Sequence, residues 1–303
     1  MTLPDKSAKI KQIAHRLGFD ACGIAKAAHV GDAETHLHNW LDNGNHAEMS
    51  YMTNHFEKRC DPTLLVENAK SIISLALNYY PKDKQAEHLP QIAYYAYGKD
   101  YHDVIREKLN LFLQLINEEI APTTGRGFVD SAPVLERHWA QQAGIGWIGK
   151  NNLLIIPRMG SFFLLAELII DLELDYDQPM ENRCGDCCRC IDACPTNALK
   201  PHLLDSRKCL SYLTIEKRGE FTTEEPEQLH NRLFGCDICQ TVCPWNKFAT
   251  PTHVAEFAPT ADILTYTKEQ WREIDETSFR TTLRHSPIKR TKFAGIQRNL
   301  GRL

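Results

Sequence analysis

Long hydrophobic runs are missing from the sequence, and their absence excludes whole classes of protein. The most apolar stretch, residues 162–170, is interrupted by Glu167 and falls far short of the roughly 20 residues that span a bilayer. Residues 1–12 alternate charged and apolar side chains, whereas a secretory signal requires an apolar run of about 7 to 15 residues. We therefore expect no membrane-spanning helix, no export and a cytoplasmic location.

Nucleotide-binding loops and a strong overall charge are also missing. No G-x-G-x-x-G turn follows a predicted strand and no P-loop occurs, which argues against a Rossmann nicotinamide site and a P-loop ATPase. The net charge of -4 at pH 7 provides no global positive field for a nucleic acid.

The C-terminal segment departs from that charge balance, because residues 277–303 contain no Asp or Glu. A run of positive side chains is typical either of a solvated helix face or of a surface that contacts phosphates. Both interpretations apply to Arg280, Arg284, Lys289, Arg290, Lys292, Arg298 and Arg302.

Helical and strand patterns alternate along the first part of the chain. A length of 303 residues exceeds the size at which one core usually stops growing, so we expect about two units. Apolar spacing predicts a first helix with Ser7 as N-cap and Gly18 as its stop. Further strands are predicted at 21–25, 71–79, 127–130, 153–156 and 162–170, and further helices from 61, over 101–120 and over 133–143. Such alternation is typical of α/β or α+β layers and leaves the strand order open.

Cysteine, in contrast, is abundant and concentrated. Nine of the eleven cysteines lie between Cys184 and Cys243, after a polar stretch at residues 175–183 that marks a boundary. The first motif has the spacing C-x2-C-x2-C-x3-C-P and consists of Cys184, Cys187, Cys190, Cys194 and Pro195. In this motif three thiolates hold one [4Fe-4S] cluster, while the fourth points away and binds a second cluster. One motif therefore predicts two clusters.

The second motif, Cys236-x2-Cys239-x3-Cys243-Pro, is one cysteine shorter, and Cys209 upstream supplies the missing ligand. Crossed ligation then gives two sets of four thiols. Set one is Cys184, Cys187, Cys190 and Cys243, and set two is Cys194, Cys209, Cys236 and Cys239. Two zinc sites of four thiolates each are the alternative, but the x2-x2-x3-P spacing is more specific for iron and sulfur. Cys188, Cys22 and Cys60 are expected not to be ligands, and the odd cysteine count disfavours a disulfide framework.

Four segments outside the cysteine region resemble the epoxyqueuosine reductase family. They are YAYGKDYH at 95–102, VDSAPVLER at 129–137, AGIGWIGKN at 143–151 and GSFF at 160–163. Both cysteine motifs and Cys209 fit this family too, and the resemblance extends to about residue 299. It implies a cobalamin-dependent enzyme that reduces epoxyqueuosine to queuosine at the wobble position of tRNA, with electrons relayed by the two clusters.

The resemblance also implies an α+β architecture with three regions. An α/β-type cobalamin-binding domain is expected at 1–174, a ferredoxin-like domain with two [4Fe-4S] clusters at 175–250, and a short helical basic segment at 251–303. Longer members continue into a helical-repeat domain, which we expect to be missing here. The family implies corrin contacts at Arg59, Tyr95, Asp130, Asn151, Ile155, Ser161, Ser211 and Gln240.

Asp130 is the expected proton donor. The resemblance places there the carboxylic acid that protonates the leaving oxygen, and the apolar neighbours Val129 and Ala132 are expected to raise its pKa by desolvation. The alternative is that Asp130 caps a helix beginning at Pro133. His102 lacks the context of an Asp-x-His-x-x-Gly cobalamin motif and is expected to be a structural or tRNA-facing residue.

The expected partners are the anticodon loop of tRNA and an external low-potential electron donor, with no membrane. Given the resemblance, the basic segment from Arg280 to Arg298 becomes the candidate for phosphate contacts. Two rival functions remain open: a related corrinoid reductase of a small molecule, such as a dehalogenase, and a non-catalytic electron carrier. The lack of an export signal and the basic segment disfavour the first, and the motif around Asp130 disfavours the second.

Overall fold

Short helices and strands alternate along the chain in a computed structural model, which describes residues 1–303. The strands are β1 Ala21–Lys26, β2 Ser71–Asn78, β3 Gln91–Ile92, β4 Gly125–Phe128, β5 Trp147–Ile148, β6 Leu154–Ile155, β7 Phe163–Ile170, β8 Leu199–Lys200, β9 Leu203–Leu204 and β10 Arg232–Phe234. The helices are α1 Leu3–Arg16, α2 Asp32–Asp42, α3 Phe56–Cys60, α4 Tyr101–Glu119, α5 Glu136–Gln142, α6 Arg189–Asp192, α7 Leu210–Ile215, α8 Ile238–Thr241, α9 Ala261–Thr265, α10 Lys268–Glu273, α11 Glu276–Thr282 and α12 Lys292–Leu300. None of them combines the length and the apolarity that crossing a membrane would take.

The central sheet has the strand order β1-β2-β7-β4, and every neighbouring pair in it is antiparallel. The expected α/β-type first domain is therefore wrong in strand direction, and the region is α+β. The physical reason lies in burial: all eight residues of β2 are buried, which produces the continuous apolar run typical of parallel strands. Such a run indicates that both faces of the sheet are covered, but it does not indicate whether the strands are parallel or antiparallel.

Each face of the sheet carries its own core. On one face, helices α1 and α4 bring Ile10 and Phe112 against Ile73 of β2. On the other face, α5 brings Trp139 against Ile72 of the same strand. Alternate residues of one strand thus serve opposite cores, as the period of two in a strand requires.

The cysteine region and the C-terminal helices pack onto the first region through shared elements. Strand β10 pairs in parallel with β3, and helices α6 and α8, which carry cysteines of the two motifs, contact each other. Ile92, Phe234, Trp271 and Ile296 belong to one core cluster. The C-terminal helices are therefore part of a common core with β3 and β10.

Two helix starts differ from the predicted elements. Thr2, and not Ser7, caps α1 in a capping box with Asp5, whereas Ser7 is buried within the helix and donates to the Asp175 carbonyl. Gly18 ends the helix as predicted, with a φ of +85°. At Asp61 only a 3-10 turn, Pro62–Leu64, forms in place of the predicted helix.

Candidate functional site

The first predicted set of thiols lines one cavity. The cavity has a volume of about 20 Å³ and is partly open to solvent, and its walls include Cys184, Cys187, Cys190 and Cys243. Cys243 belongs to the second sequence motif, so α8 and the turn after it deliver this thiol to the first motif. Four thiols around one space are the donor set of a [4Fe-4S] cluster.

The second set gathers in a more buried place. Burial is the main cause that raises the pKa of Cys239 well above its usual value, and the negative charges of Cys236, Cys209 and Cys194 raise it further. Burial also raises the pKa of Cys243, and there the thiols that add to the effect are Cys184 and Cys187. Each thiol thus responds to members of its own predicted set, which is the grouping that crossed ligation requires.

The remaining cysteines and the zinc alternative can be placed on the same geometry. Cys188 lies 3.8 Å from the Lys150 ammonium and donates to the Asp186 carbonyl, and it does not line the cavity. Cys60 is buried in the core on the α5 face, and Cys22 packs against the core on the other face. Four thiols around one space could also bind one zinc ion, so the choice of iron and sulfur rests on the x2-x2-x3-P spacing of the cysteines.

Asp130 lies on a turn between β4 and α5 and is exposed to solvent. Its side chain is 57% exposed, and its φ of +51° is in the left-handed region, which few non-glycine residues occupy. The Tyr101 hydroxyl donates to Asp130 Oδ2 over 2.6 Å, and the Asp130 N–H donates to Glu136 Oε1 over 2.6 Å. The alternative interpretation of Asp130 as a helix cap is wrong, because α5 begins only at Glu136.

His102 connects Asp130 to a second carboxylate. Its Nε2 is 3.2 Å from Asp130 Oδ2, and its Nδ1 is 2.7 Å from Asp100 Oδ1. Asp100 caps α4, is 5% exposed, and pairs through Oδ2 with the Lys289 ammonium over 2.8 Å. The imidazole also stacks on the Tyr101 ring, with centroids 4.1 Å apart. The start of α4 therefore builds a continuous chain of polar contacts from Lys289 to Asp130.

Hydrogen bonds determine the ionisation state of Asp130. Partial desolvation acts to raise its pKa, but hydrogen bonds from His102 and Tyr101 outweigh this effect and hold the pKa below its usual value. The expectation of a raised pKa is therefore wrong. Glu136 shows the opposite behaviour, since burial and then the charge of Asp130 raise its pKa to about 8. Glu167 on β7 is fully buried, and burial followed by the charge of Glu136 raises its pKa as well.

Two family models match the chain in the regions that hold these features. The model for epoxyqueuosine reductase QueG, DUF1730, matches residues 59–131, and that for a 4Fe-4S double cluster binding domain matches residues 183–246. An epoxyqueuosine reductase of Cellulophaga algicola is 50% identical over 292 residues, which cover 96% of this chain and 95% of that protein. The chain belongs to the epoxyqueuosine reductase family.

Solved structures of epoxyqueuosine reductases share the fold. One, in complex with an epoxyqueuosine-modified stem loop of tyrosine tRNA, is 32% identical with a TM-score of 0.90, and the match covers 97% of this chain and 79% of that one. In a Bacillus subtilis epoxyqueuosine reductase, 31% identical with a TM-score of 0.86 and the same coverage, the loop with the catalytic aspartate is swung out of the active site. A catabolic reductive dehalogenase at 15% identity, with a TM-score of 0.52 and coverage of 99% and 38%, shares the fold alone.

Several corrin contacts implied by the epoxyqueuosine reductase family lie where the first region meets the cysteine region. Asn151 is 5% exposed and donates to the Cys239 carbonyl over 3.3 Å. Ile155 lines the thiol cavity of set one. Gln240 is buried and donates to the Ser161 carbonyl over 2.7 Å. These four residues therefore link the cofactor region expected from the family to both sets of thiols.

The other implied contacts are more scattered. Arg59 is 9% exposed and donates to the Tyr51 carbonyl over 2.9 Å, while its Nε is buried without a hydrogen-bond partner. The Tyr95 ring packs against Tyr101, with centroids 5.9 Å apart. Ser211 is half-buried at the start of α7, and its carbonyl accepts a hydrogen bond from the Thr214 hydroxyl.

The basic segment divides into exposed and internally bonded side chains. Arg298 donates to the carbonyls of Leu213, Lys217 and Gly219, and its guanidinium lies over the Phe221 ring. Arg290 forms two hydrogen bonds with Glu216, Arg280 pairs with Glu276, and Lys289 pairs with Asp100. Arg284 and Lys292 are exposed and have no side-chain partner.

Sequence reasoning missed four residues of the Asp130 site. Tyr101, His102 and Asp100 stand together in the YAYGKDYH segment, and Glu136 stands in the VDSAPVLER segment, but no role was derived for them as partners of Asp130. The spacing Asp100-x-His102 could have indicated the contact between these two residues. An aspartate at a helix N-cap accepts a hydrogen bond from the backbone N–H two residues later, and here it also contacts the His102 imidazole.

Proposed function

We propose that this member of the epoxyqueuosine reductase family reduces epoxyqueuosine to queuosine at the wobble position of tRNA. The proposal rests on the sequence identity to a named relative together with the site that the fold assembles. A chain 50% identical to a named epoxyqueuosine reductase over 96% of its length gathers two sets of thiols and also carries an exposed, hydrogen-bonded aspartate. Removal of an epoxide oxygen takes two electrons and two protons, so the enzyme needs an electron relay and an acid. The tRNA partner is supported by the related structure with a modified stem loop.

The donor sets fit the metal clusters that the proposal needs. The eight thiols would hold two [4Fe-4S] clusters, which carry electrons one at a time. The cavity of set one opens to solvent, which supports entry of electrons there from an external low-potential donor. Asn151 lines that cavity and also donates to the Cys239 carbonyl of set two, so both sets adjoin the residues expected to hold the second cofactor.

Cobalamin is the second cofactor that the family implies. It supplies a reactive low-valent cobalt, which the removal of oxygen from carbon needs and which clusters alone do not provide. The unpartnered, buried Nε of Arg59 fits a polar group of such a ligand, because buried donors are rarely left without an acceptor. Asn151, Ser161 and Gln240 would hold the corrin from the side of the thiols, with Tyr95, Ile155 and Ser211 as further contacts.

Asp130 would act as the acid at the oxygen that leaves. Its turn leaves the carboxylate exposed, and the Tyr101 hydroxyl donates to Oδ2 and orients it. A positioned acid of this kind typically contributes about 10² to 10⁴ in rate. In this proposal the three regions 1–174, 175–250 and 251–303 divide the work into cofactor and substrate binding, electron relay, and support. Within the basic segment from Arg280 to Arg298, Arg284 and Lys292 are the side chains free to contact tRNA phosphates.

A nucleoside digest tests the proposal directly. Anaerobic protein with reconstituted clusters, cobalamin and a low-potential reductant is incubated with tRNA that carries epoxyqueuosine, and the nucleosides are then separated. We expect queuosine to appear at the expense of epoxyqueuosine. The Asp130→Asn variant should keep its iron and its corrinoid but lose at least about 100-fold in rate. Fully loaded wild-type protein that leaves epoxyqueuosine intact would refute the function, and an active Asp130→Asn variant would remove Asp130 from the acid role.

A further inference from the structure

We propose that His102 holds the proton that Asp130 delivers to the departing oxygen, so that the acid of the reaction is the Asp100–His102–Asp130 unit and not Asp130 alone. This inference rests on the proposed function and deepens it. His102 would act through Asp130, as a residue that positions and recharges the acid.

With both carboxylates ionised, the hydrogen-bond geometry requires a doubly protonated imidazole. Both ring nitrogens of His102 face carboxylate oxygens, Nδ1 at 2.7 Å from Asp100 and Nε2 at 3.2 Å from Asp130. An ionised carboxylate only accepts hydrogen bonds, whereas a neutral imidazole has one nitrogen without hydrogen. A neutral His102 would therefore point a lone pair at one of the two carboxylates. The imidazolium satisfies both contacts, since each of its nitrogens donates.

Asp100 is held in its ionised state by contacts on both of its oxygens. Oδ1 accepts from His102, and Oδ2 accepts from the Lys289 ammonium over 2.8 Å. Burial acts to raise the pKa of Asp100, but these hydrogen bonds outweigh it and hold the pKa well below its usual value. The Nδ1 of His102 is therefore fixed as a donor to a carboxylate that stays ionised.

The charges around His102 support the same state. Burial acts to lower the pKa of His102, but the hydrogen bonds and charges of Asp100 and Asp130 raise it to about 9. The titratable and charged groups that face this unit from the neighbouring elements are Tyr51, Arg59, Tyr95, Asp100, Tyr101, Asp130, Glu136, Arg137, Lys289 and Arg290.

The other groups at Asp130 are unsuited to this role. Tyr101 donates to the same Oδ2, but burial and the charge of Asp130 raise the pKa of its hydroxyl far above the usual value, so it keeps its proton. Glu136 contacts only the backbone N–H of Asp130, which offers no path to the carboxylate. His102 is thus the group with both a removable proton and a hydrogen bond to Asp130 Oδ2.

The proton balance can then be written for the whole reaction. As the first C–O bond breaks, the Asp130 carboxylate takes the Nε2 proton of His102 and passes it to that oxygen, so that Asp130 is ionised again and His102 is left neutral. The His102 side chain is 25% exposed and regains a proton from solvent. A second proton follows the same route as the second C–O bond breaks, and the oxygen leaves as water. The two electrons come from the reductant through the thiol-bound relay, and the product is the alkene.

The His102→Gln variant separates this role from a structural one. Glutamine keeps an N–H donor toward Asp130 but holds no transferable proton. We expect turnover at pH 7 to fall about 100-fold with iron content and tRNA affinity unchanged. The wild-type rate should stay level from pH 6 to 8 and fall above pH 9, where His102 loses its proton. The rate of His102→Gln should instead rise about tenfold per pH unit from pH 8 to 6, because Asp130 must then collect its proton from solvent.

Two further measurements keep the inference falsifiable. His88→Gln, an exposed histidine away from the site, should match the wild-type profile. Nitrogen-15 NMR of histidine-labelled, oxidised holoenzyme should show His102 doubly protonated at pH 7, and this readout does not depend on turnover. A neutral His102 at pH 7, or a His102→Gln profile that is merely lower and still level, would overturn the inference even if the enzyme converts its tRNA. Wild-type enzyme that converts no tRNA would count against the proposed function instead.

Discussion

Glu136 holds the turn that carries Asp130, and removal of its side chain should loosen that turn. The Asp130 N–H donates to Glu136 Oε1 over 2.6 Å, while Asp130 occupies a left-handed φ of +51°. This conformation costs a non-glycine residue about 1 to 2 kcal/mol, and one hydrogen bond contributes about 1 kcal/mol. Because the two magnitudes are similar, loss of this hydrogen bond should change how much of the time the turn stays in place, although Tyr101 and His102 also hold the Asp130 side chain. A related enzyme with its aspartate loop swung out shows that such a loop can move.

Glu136→Ala should therefore lower kcat/KM about five- to thirtyfold, which corresponds to a loss of about 1 to 2 kcal/mol. Glu136→Gln is the matched control. Since burial and the charge of Asp130 raise the pKa of Glu136 to about 8, the carboxyl group is largely neutral at pH 7. The amide oxygen of glutamine can accept the same N–H, so this variant should stay within about threefold of the wild type.

Two assays distinguish a loosened turn from a damaged fold. Initial rates of queuosine formation report kcat/KM, and limited trypsin digestion reports opening through cleavage after the exposed Arg137. Glu136→Ala should show faster cleavage with unchanged iron content. The reasoning is refuted if Glu136→Ala keeps the wild-type rate and cleavage pattern, or if glutamine harms the rate as much as alanine does.

Other parts of the molecule give further expectations. Cys209→Ser should lower the iron content from about eight to about four per chain while Cys188→Ser leaves it near eight; reconstituted wild type with zinc in place of iron would contradict the ligand assignment. Arg284→Glu with Lys292→Glu should weaken tRNA binding and reduce the slope of log affinity against log salt by about 2, and unchanged affinity would make both residues ordinary surface. Because its pKa rises to about 9 in the fold, His102 stabilises the protein fully below about pH 6.5 and ceases to do so as pH rises through 9. The melting temperature of wild type relative to His102→Gln should fall across that range, and a constant difference would disprove the charge assignment.

The thiol sets were predictable because cluster ligation is read from local spacing. Three thiols two residues apart must face one cluster, and a fourth after a turn must face another. The family, with its mixture of helices and strands, was likewise predictable from short motifs, and the relatives support it. Strand direction was not predictable, since the fully buried β2 has the same apolar pattern in a parallel or an antiparallel sheet.

The chemistry around Asp130 was only half predictable. Apolar neighbours in sequence suggested desolvation and a raised pKa, but the groups that decide the charge of Asp130 come from the start of α4. Tyr101 and His102 reach Asp130 only after α4 packs against β4. The residues next to Asp130 in the sequence indicate how apolar its surroundings are. Its ionisation state depends instead on hydrogen-bond partners that the fold brings from other parts of the chain.

Lys289 shows why charge alone could not separate a surface for tRNA from a support for the acid. Its side chain is 47% exposed, yet its ammonium pairs with Asp100, which is only 7% exposed. A cation placed there keeps Asp100 ionised, Asp100 keeps His102 charged, and His102 lowers the pKa of Asp130. A substitution at Lys289 would therefore alter the acid as well as any phosphate contact, whereas Arg284 has no such link. Within one run of positive residues, some side chains pair with carboxylates of this protein and others are left exposed for contact with a partner. Only the positions of the carboxylates in the fold distinguish the two groups.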